Sequence, residues 1–146
     1  MFLFARVPAA FFSGLRVHYA DENSCSISVP YKWFNRNPFH STYFATLAMA
    51  AEMSTGALAM GHVYKLKPAL SLLVTGIEGR FSKKAVNKTI FTCEDGNAFA
   101  AAVSEALATG ESKIVKAISR GRNESGEPVA EFEITWSFKK KSLPKE

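Results

Sequence analysis

Glu52 is the only formally charged residue between Arg36 and Lys65. It lies within Phe44-Ala-Thr-Leu-Ala-Met-Ala-Ala-Glu52-Met53, where nearly every other side chain is apolar or small. The run reads as one helix, and a helix that is apolar on all sides is wrapped by its own domain, not laid on a surface. A carboxylate in such a place loses hydration, so its pKa rises unless a partner compensates. A carboxylate that titrates nearer neutral pH has the properties of a general base or a nucleophile. The segment leading into the helix, Asn37-Pro-Phe-His-Ser-Thr-Tyr-Phe44, brings further polar groups to its N-terminus. There the first backbone N–H groups lack intrahelical partners and favour negative charge. Asn37 and His40 are candidates to orient a water or a carbonyl at that end.

Other chemistries find less support. Ser41 and Thr42 read as helix caps rather than nucleophiles, because no Gly-x-Ser-x-Gly elbow is present. Cys25 and Cys93 have neither metal-ligand nor CxxC spacing and read as two reduced thiols, with one disulfide as the alternative. His18 and His62 have no partner at ligand spacing, so no metal is expected. The formal charge of +5 and the pI near 9.3 favour anionic partners by long-range attraction. The basic residues are scattered, however, and the Lys139-Lys140-Lys141 triplet reads as a solvated tail. With no interleaved basic and aromatic patch in the sequence, nucleic acid is not an expected partner. No apolar run reaches the roughly 18–20 residues needed to span a bilayer. Met1-Phe-Leu-Phe-Ala-Arg6 starts apolar and is interrupted by Arg6 and Pro8, which does not fit a secretory signal. The expectation is a cytoplasmic protein without a cofactor.

The elements that must position Glu52 follow from periodicity. The 146 residues fit one domain, and 47% hydrophobic content with twelve phenylalanines supports one core or pocket rich in aromatics. Residues 1–24 form an N-terminal segment, read as an amphipathic helix over 3–17 that packs Phe4, Phe11, Phe12 and Leu15 against the rest. Residues 25–140 form the core. A strand is predicted over 25–34, with Pro30 suggesting an edge or a bulge. The Asn35-Arg-Asn37-Pro38 turn follows, then the long helix from about Ser41 to Ala59, ended by Gly61. Strands are predicted over 70–81, 84–94 and 112–122, with an Ala-rich helix over 97–108 stopped by Gly110. Asn123-Glu-Ser-Gly126-Glu reads as a hairpin turn. In the last strand Phe132, Ile134, Trp136 and Phe138 alternate with Glu131, Glu133, Thr135 and Ser137, giving one buried and one solvated face. An antiparallel sheet must cover its apolar face, and the long helix is the obvious cover. The predicted class is α+β, with the sheet curled around a central helix in the hotdog arrangement.

Over roughly residues 25–140 the chain resembles the hotdog-fold thioesterase superfamily, and within it a branch related to the phenylacetyl-CoA type. The most specific stretch is Asn37-Pro-Phe-His-Ser-Thr-Tyr-Phe-Ala-Thr-Leu-Ala-Met-Ala-Ala-Glu52-Met-Ser-Thr-Gly56. His40-Ser41-Thr42 stands where that type has His-Gly-Gly. Met49 stands where it has its Asp, and Glu52 lies one turn later, about 4.5 Å further along the axis. The resemblance implies an acyl-CoA thioesterase acting on a coenzyme A or carrier-protein thioester, with Glu52 as base or nucleophile. For such a reaction the free N–H groups of the helix start, near Ser41, Thr42 and Tyr43, could polarise the thioester carbonyl, and Phe44, Leu47, Ala48 and Ala51 could line an acyl channel along the helix. The resemblance also implies a homodimer, or a dimer of dimers, with donors from one subunit and acid from the other. The alternative reading on the same scaffold is a non-catalytic binder of acyl-CoA or fatty acid.

Overall fold

The structure is a computed structural model and describes residues 2–141. Two short helices, α1 (Phe2–Arg6) and α2 (Pro8–Phe12), precede strand β1 (Arg16–Ala20). Strand β2 (Cys25–Val29) and a single 3-10 turn (Trp33–Asn35) lead to the 20-residue helix α3 (Phe44–Val63). Then come β3 (Leu70–Phe81), β4 (Thr89–Cys93), α4 (Gly96–Thr109), β5 (Lys113–Arg122) and β6 (Pro128–Lys140). The six strands form one antiparallel sheet in the order β1-β2-β4-β5-β6-β3. The sheet curls around α3, which is the hotdog arrangement.

The core lies between the concave face of the sheet and the two long helices. Phe132, Ile134, Trp136 and Phe138 of β6 are all buried, whereas Glu131 and Glu133 sit on the convex face opposite Arg120 and Lys116. Those convex-face ion pairs are solvent-exposed and contribute less than about 1 kcal/mol each. Four of the twelve phenylalanines lie in this core, where Phe91 packs edge-on to Phe132 and Phe99 of α4 packs on Phe138, each pair with ring centroids 5.8 Å apart, whereas the other eight are exposed. Ala50, Ala51 and Ala59 are fully buried on α3, and their small side chains let the helix approach the sheet closely. Gly110 ends α4 in the left-handed conformation at φ 71, with its N–H donating to the Ala106 carbonyl.

Several expectations are corrected. The single helix over 3–17 is instead two short helices and the start of a strand. Pro8 sits at the first position of α2, and Gly14 at φ 77 closes it. Leu15 is buried as expected, but Phe4, Phe11 and Phe12 remain about half exposed. Strand β1 was not anticipated. β2 stops before Pro30 and is an inner strand, with β1 covering its edge. The stretch over 84–94 contributes only five strand residues. Lys139 and Lys140 pair with Ser71 and Leu70 within β6, so they belong to the sheet and not to a tail. Gly61 lies inside α3, which continues to Val63. Finally, α3 is not covered on all sides: the side carrying Met49, Met53, Ala57 and Met60 is half-buried or exposed.

Candidate active site

That open side of α3 forms the wall of a cleft of about 810 Å³. Met49, Glu52, Met53, Gly56, Ala57, Met60 and Tyr64 recur at helical spacing along it. Leu72 and Trp136 close it from the sheet, and Arg6 and Val7 from the N-terminal helices. Glu52 is therefore half-buried in a largely apolar space. Its carboxylate has no hydrogen bond or ion pair among the described residues, and burial alone pushes its pKa up from the ordinary carboxylate value. Gly56 makes room for it. A Cβ there would lie 3.1 Å from Glu52 Oε1 and 3.0 Å from Trp136 Cζ2, so the missing side chain leaves room for both carboxylate and indole beside the helix backbone. Trp136 is fixed in turn by its Nε1–H, which donates to Thr55 Oγ1 at 2.8 Å. Thr55 donates to the Glu52 carbonyl at 2.8 Å.

A second cleft, of about 610 Å³, opens at the start of α3. It is lined by Asn37, Phe39, Ser41, Thr42, Tyr43 and Phe44 from the loop and helix start, and by Phe81, Lys83 and Lys84 from the end of β3 and beyond. Asn37 organises this loop. Its Oδ1 accepts from the Phe39 and Ser41 N–H groups at 3.0 and 3.2 Å, and its Nδ2 donates to Ser41 Oγ at 3.0 Å. His40 occupies the left-handed region at φ 57 on the exposed tip of the turn and lines neither cleft. Ala48 packs half-buried against the core and also lines neither.

The expected backbone donors move along the chain. The Ser41 N–H is taken by Asn37 Oδ1, that of Thr42 donates to the Ala85 carbonyl at 2.8 Å, and that of Tyr43 to the Asn35 carbonyl at 2.7 Å. The helix is capped by Tyr43 without a side-chain hydrogen bond, so Ser41 and Thr42 are not its caps. Thr46 and Leu47 N–H groups both donate to the Tyr43 carbonyl. Phe44 and Ala45 N–H groups are left without a partner among the described residues. They are the free donors of this helix end.

Glu52 and these donors are not neighbours within one chain. Eight residues separate Phe44 from Glu52, roughly 12 Å along the axis at the ordinary helical rise, and the two clefts share no lining residue. Other nucleophiles are already engaged or suppressed. The Ser54 hydroxyl bonds the Ala51 carbonyl and Ser119 at 2.7 Å. Cys25 and Cys93 are buried register partners on β2 and β4, and burial raises both thiols, Cys93 to about 12. Sequence reasoning found Glu52 but missed Gly56, Trp136, Leu72 and Arg6 around it. Only Gly56 carried a local signal, as a glycine inside a helix.

The family described as Domain of unknown function (DUF4442) matches residues 2–138, and the chain belongs to it. No curated protein matches the chain. Among solved structures, a Pseudomonas aeruginosa protein of unknown function described as a probable thioesterase has a TM-score of 0.83 at 21% identity, over 96% of this chain and 93% of its own. A protein of unknown function from Chlorobaculum tepidum gives 0.82 at 16%, over 96% and 91%. A thioesterase from Haemophilus influenzae gives 0.72 at 12%, over 98% and 90%. At such identities the likeness shows the shared fold alone.

Proposed function

We propose that this member of the DUF4442 family is an acyl thioesterase, acting on coenzyme A thioesters with Glu52 as its catalytic carboxylate. The observation that carries the reading is a half-buried carboxylate with a raised pKa and no partner among the described residues, set in an apolar cleft large enough for an acyl chain. In this reading Glu52 takes a proton from water, and the hydroxide adds to the thioester carbonyl carbon. The charge on the former carbonyl oxygen is met by the free N–H groups of Phe44 and Ala45. Collapse breaks the C–S bond, and the leaving thiolate takes its proton from Glu52. Direct attack by Glu52 through a transient anhydride uses the same groups. Met49, Met53, Leu72 and Trp136 receive the acyl group, and Lys83 and Lys84 beside the helix start are available to the coenzyme A phosphates. Asn37 acts as a positioning residue by holding the loop, and His40 on its tip is available to a second copy. Because donors and acid are roughly 12 Å apart in one chain, the working site joins the helix start of one copy to Glu52 of another, in a homodimer.

The test is thiol release from a panel of acyl-CoA substrates, acetyl to palmitoyl and aryl, by wild type and Glu52→Gln side by side. Wild-type turnover that falls at least about a hundredfold in the variant is the expected result, the ordinary size of a general-base contribution. An unchanged rate removes Glu52 from the chemistry. Ligand retained by the wild type without any turnover overturns the enzyme reading in favour of an acyl-ligand binder.

A further inference from the structure

The helices α1 and α2 present two faces. One closes the Glu52 cleft through Arg6, Val7 and Ala10. The other is bare. Phe4, Phe11 and Phe12 interlock edge to face, with ring centroids 5.1, 5.4 and 6.2 Å apart, and all three stay about half exposed. The 3-10 turn before α3 extends this ridge. Lys32 Nζ donates to the Phe12 carbonyl at 2.8 Å and Asn35 Nδ2 to the Ser13 carbonyl at 2.8 Å, which clamps the turn beside the end of α2. On that turn Trp33 is 79% exposed and Phe34 57%. Five large aromatic side chains thus form one solvent-facing surface, and contiguous apolar surface of this kind marks an interaction site.

Charge selects the partner. The segments that build the ridge, 2–14 and 31–36, contain Lys32 and Arg36, with Arg6 on the cleft face of α1, and no carboxylate. We infer that this ridge docks the protein on the surface of an anionic lipid bilayer. Aromatic rings that seat at the headgroup boundary, combined with basic residues that meet anionic lipid, are what interfacial binding requires. A second copy meeting the same patch across a two-fold axis would oppose like charges. Nucleic acid needs free ring faces for stacking, whereas Phe4, Phe11 and Phe12 pack edge to face on one another and Lys32 Nζ lies 5.7 Å over the Phe34 ring, which leaves Trp33 alone to stack among the described residues of the ridge. No helix among the described residues is long and apolar enough to cross a membrane, so the contact is superficial. Because α1 and α2 also line the Glu52 cleft, docking sets its mouth near the bilayer, where long-chain acyl groups partition. The inference stands whether or not such groups are hydrolysed.

Flotation of the full chain with neutral phosphatidylcholine vesicles and with vesicles containing phosphatidylserine tests this. Co-flotation with the anionic vesicles only, reduced by high salt, is expected. Tryptophan emission should shift to the blue on binding, reporting Trp33 because Trp136 is already buried. The Trp33→Ala/Phe34→Ala double variant, changed only at exposed positions, should keep its circular dichroism and lose roughly a hundredfold in partitioning, because each large apolar side chain withdrawn costs roughly tenfold or more. Three results overturn the inference: no flotation, equal flotation with neutral vesicles, or binding of single-stranded RNA in place of vesicles. A drop in sedimentation mass of the double variant also overturns it, because the ridge is then covered by a second copy.

Discussion

Glu52 bears a conflict that fixes how its removal must behave. Its carboxylate is withdrawn from water by Met49, Met53 and Trp136 and receives no hydrogen bond or opposite charge in return among the described residues. Desolvation therefore places its folded-state pKa above the unfolded value of about 4.3. The folded chain binds that proton more tightly than the unfolded chain. The associated stability is fully present below the unfolded pKa and is lost as pH rises through the folded one. Glu52→Gln removes the charge but keeps the shape, so the variant is expected to melt at a higher temperature than wild type at pH 7.5. The difference should vanish near pH 3, well below the unfolded pKa, where both carry a neutral side chain. Thermal denaturation at the two pH values checks it, and a variant no more stable at pH 7.5 would mean that the carboxylate has a partner. Such a gain, if Glu52 is the proposed catalytic carboxylate, would be the pattern of a site that gives up stability for activity. Glu52 itself was legible in the sequence, as a lone charge in a long apolar run. Its surroundings were not, because Trp136 reaches it through the register of β6 and Thr55. The donors were misplaced by three residues for a similar reason: Ala85 and Asn35 take the N–H groups of Thr42 and Tyr43, and neither pairing has a local signature.

At the scale of elements, α4 meets the β1–β2 turn backbone to backbone at Gly96. The Gly96 N–H donates to the Asn23 carbonyl at 3.1 Å, and a Cβ on Gly96 would fall 2.2 Å from the Glu22 carbonyl oxygen and 2.5 Å from Asn23 Cα. Both obstacles are backbone and cannot swing aside. Asp95 adds rigidity: its Oδ2 does not cap α4 but accepts from the Ile118 N–H at 2.7 Å, tying the helix start to β5. Gly96→Ala is expected to lower stability by roughly 1–3 kcal/mol or more as an overpacking change, read as a lower denaturant midpoint at unchanged m. Gly61→Ala is the contrast. It lies within α3 with nothing inside 4 Å of the added carbon, so it should gain up to about 1 kcal/mol of helix propensity. A Gly96 variant as stable as wild type would mean that the turn and helix separate freely. Elements with one clearly buried face were legible from periodicity, as β6 and α4 were. β1 was not, because all five of its residues are exposed and no alternation marks it. Pro8 and Gly14 were visible in the sequence, but phenylalanines on both sides masked the break they impose.

The whole molecule leaves two features open on the same side: the stripe of α3 that bears Glu52, and the outer edge of β3. That strand is 12 residues long, pairs among the described residues with β6 alone, and exposes Leu73, Ile77 and Phe81. Long apolar edges are seldom left bare, because their free N–H and C=O groups invite another strand. The homodimer proposed for this protein would cover both if it joined across this side, and would bridge the roughly 12 Å between the proposed donors and acid of one chain. Phe44→Pro isolates the donor half of such a site. Tyr43, at φ −59 and ψ 133, already has the backbone that precedes proline, and proline is tolerated at the first helical position. The substitution therefore deletes one free N–H with the helix intact, and Phe44→Ala controls for the lost ring. Loss of an oxyanion donor costs about 10²–10³ in rate, so Phe44→Pro and Glu52→Gln should each be nearly inactive alone. Unfolded together and refolded as an equal mixture, half of the dimers carry one of each chain. If every site takes its acid from one copy and its donor from the other, each mixed dimer holds one intact site. The mixture then recovers about a quarter of wild-type activity. If acid and donor belong to the same chain, both sites of the mixed dimer are broken and the mixture stays as inactive as its components. Sedimentation of the mixture fixes the outcome, because silence from a proven dimer rejects the shared site and silence from monomers rejects the dimer itself.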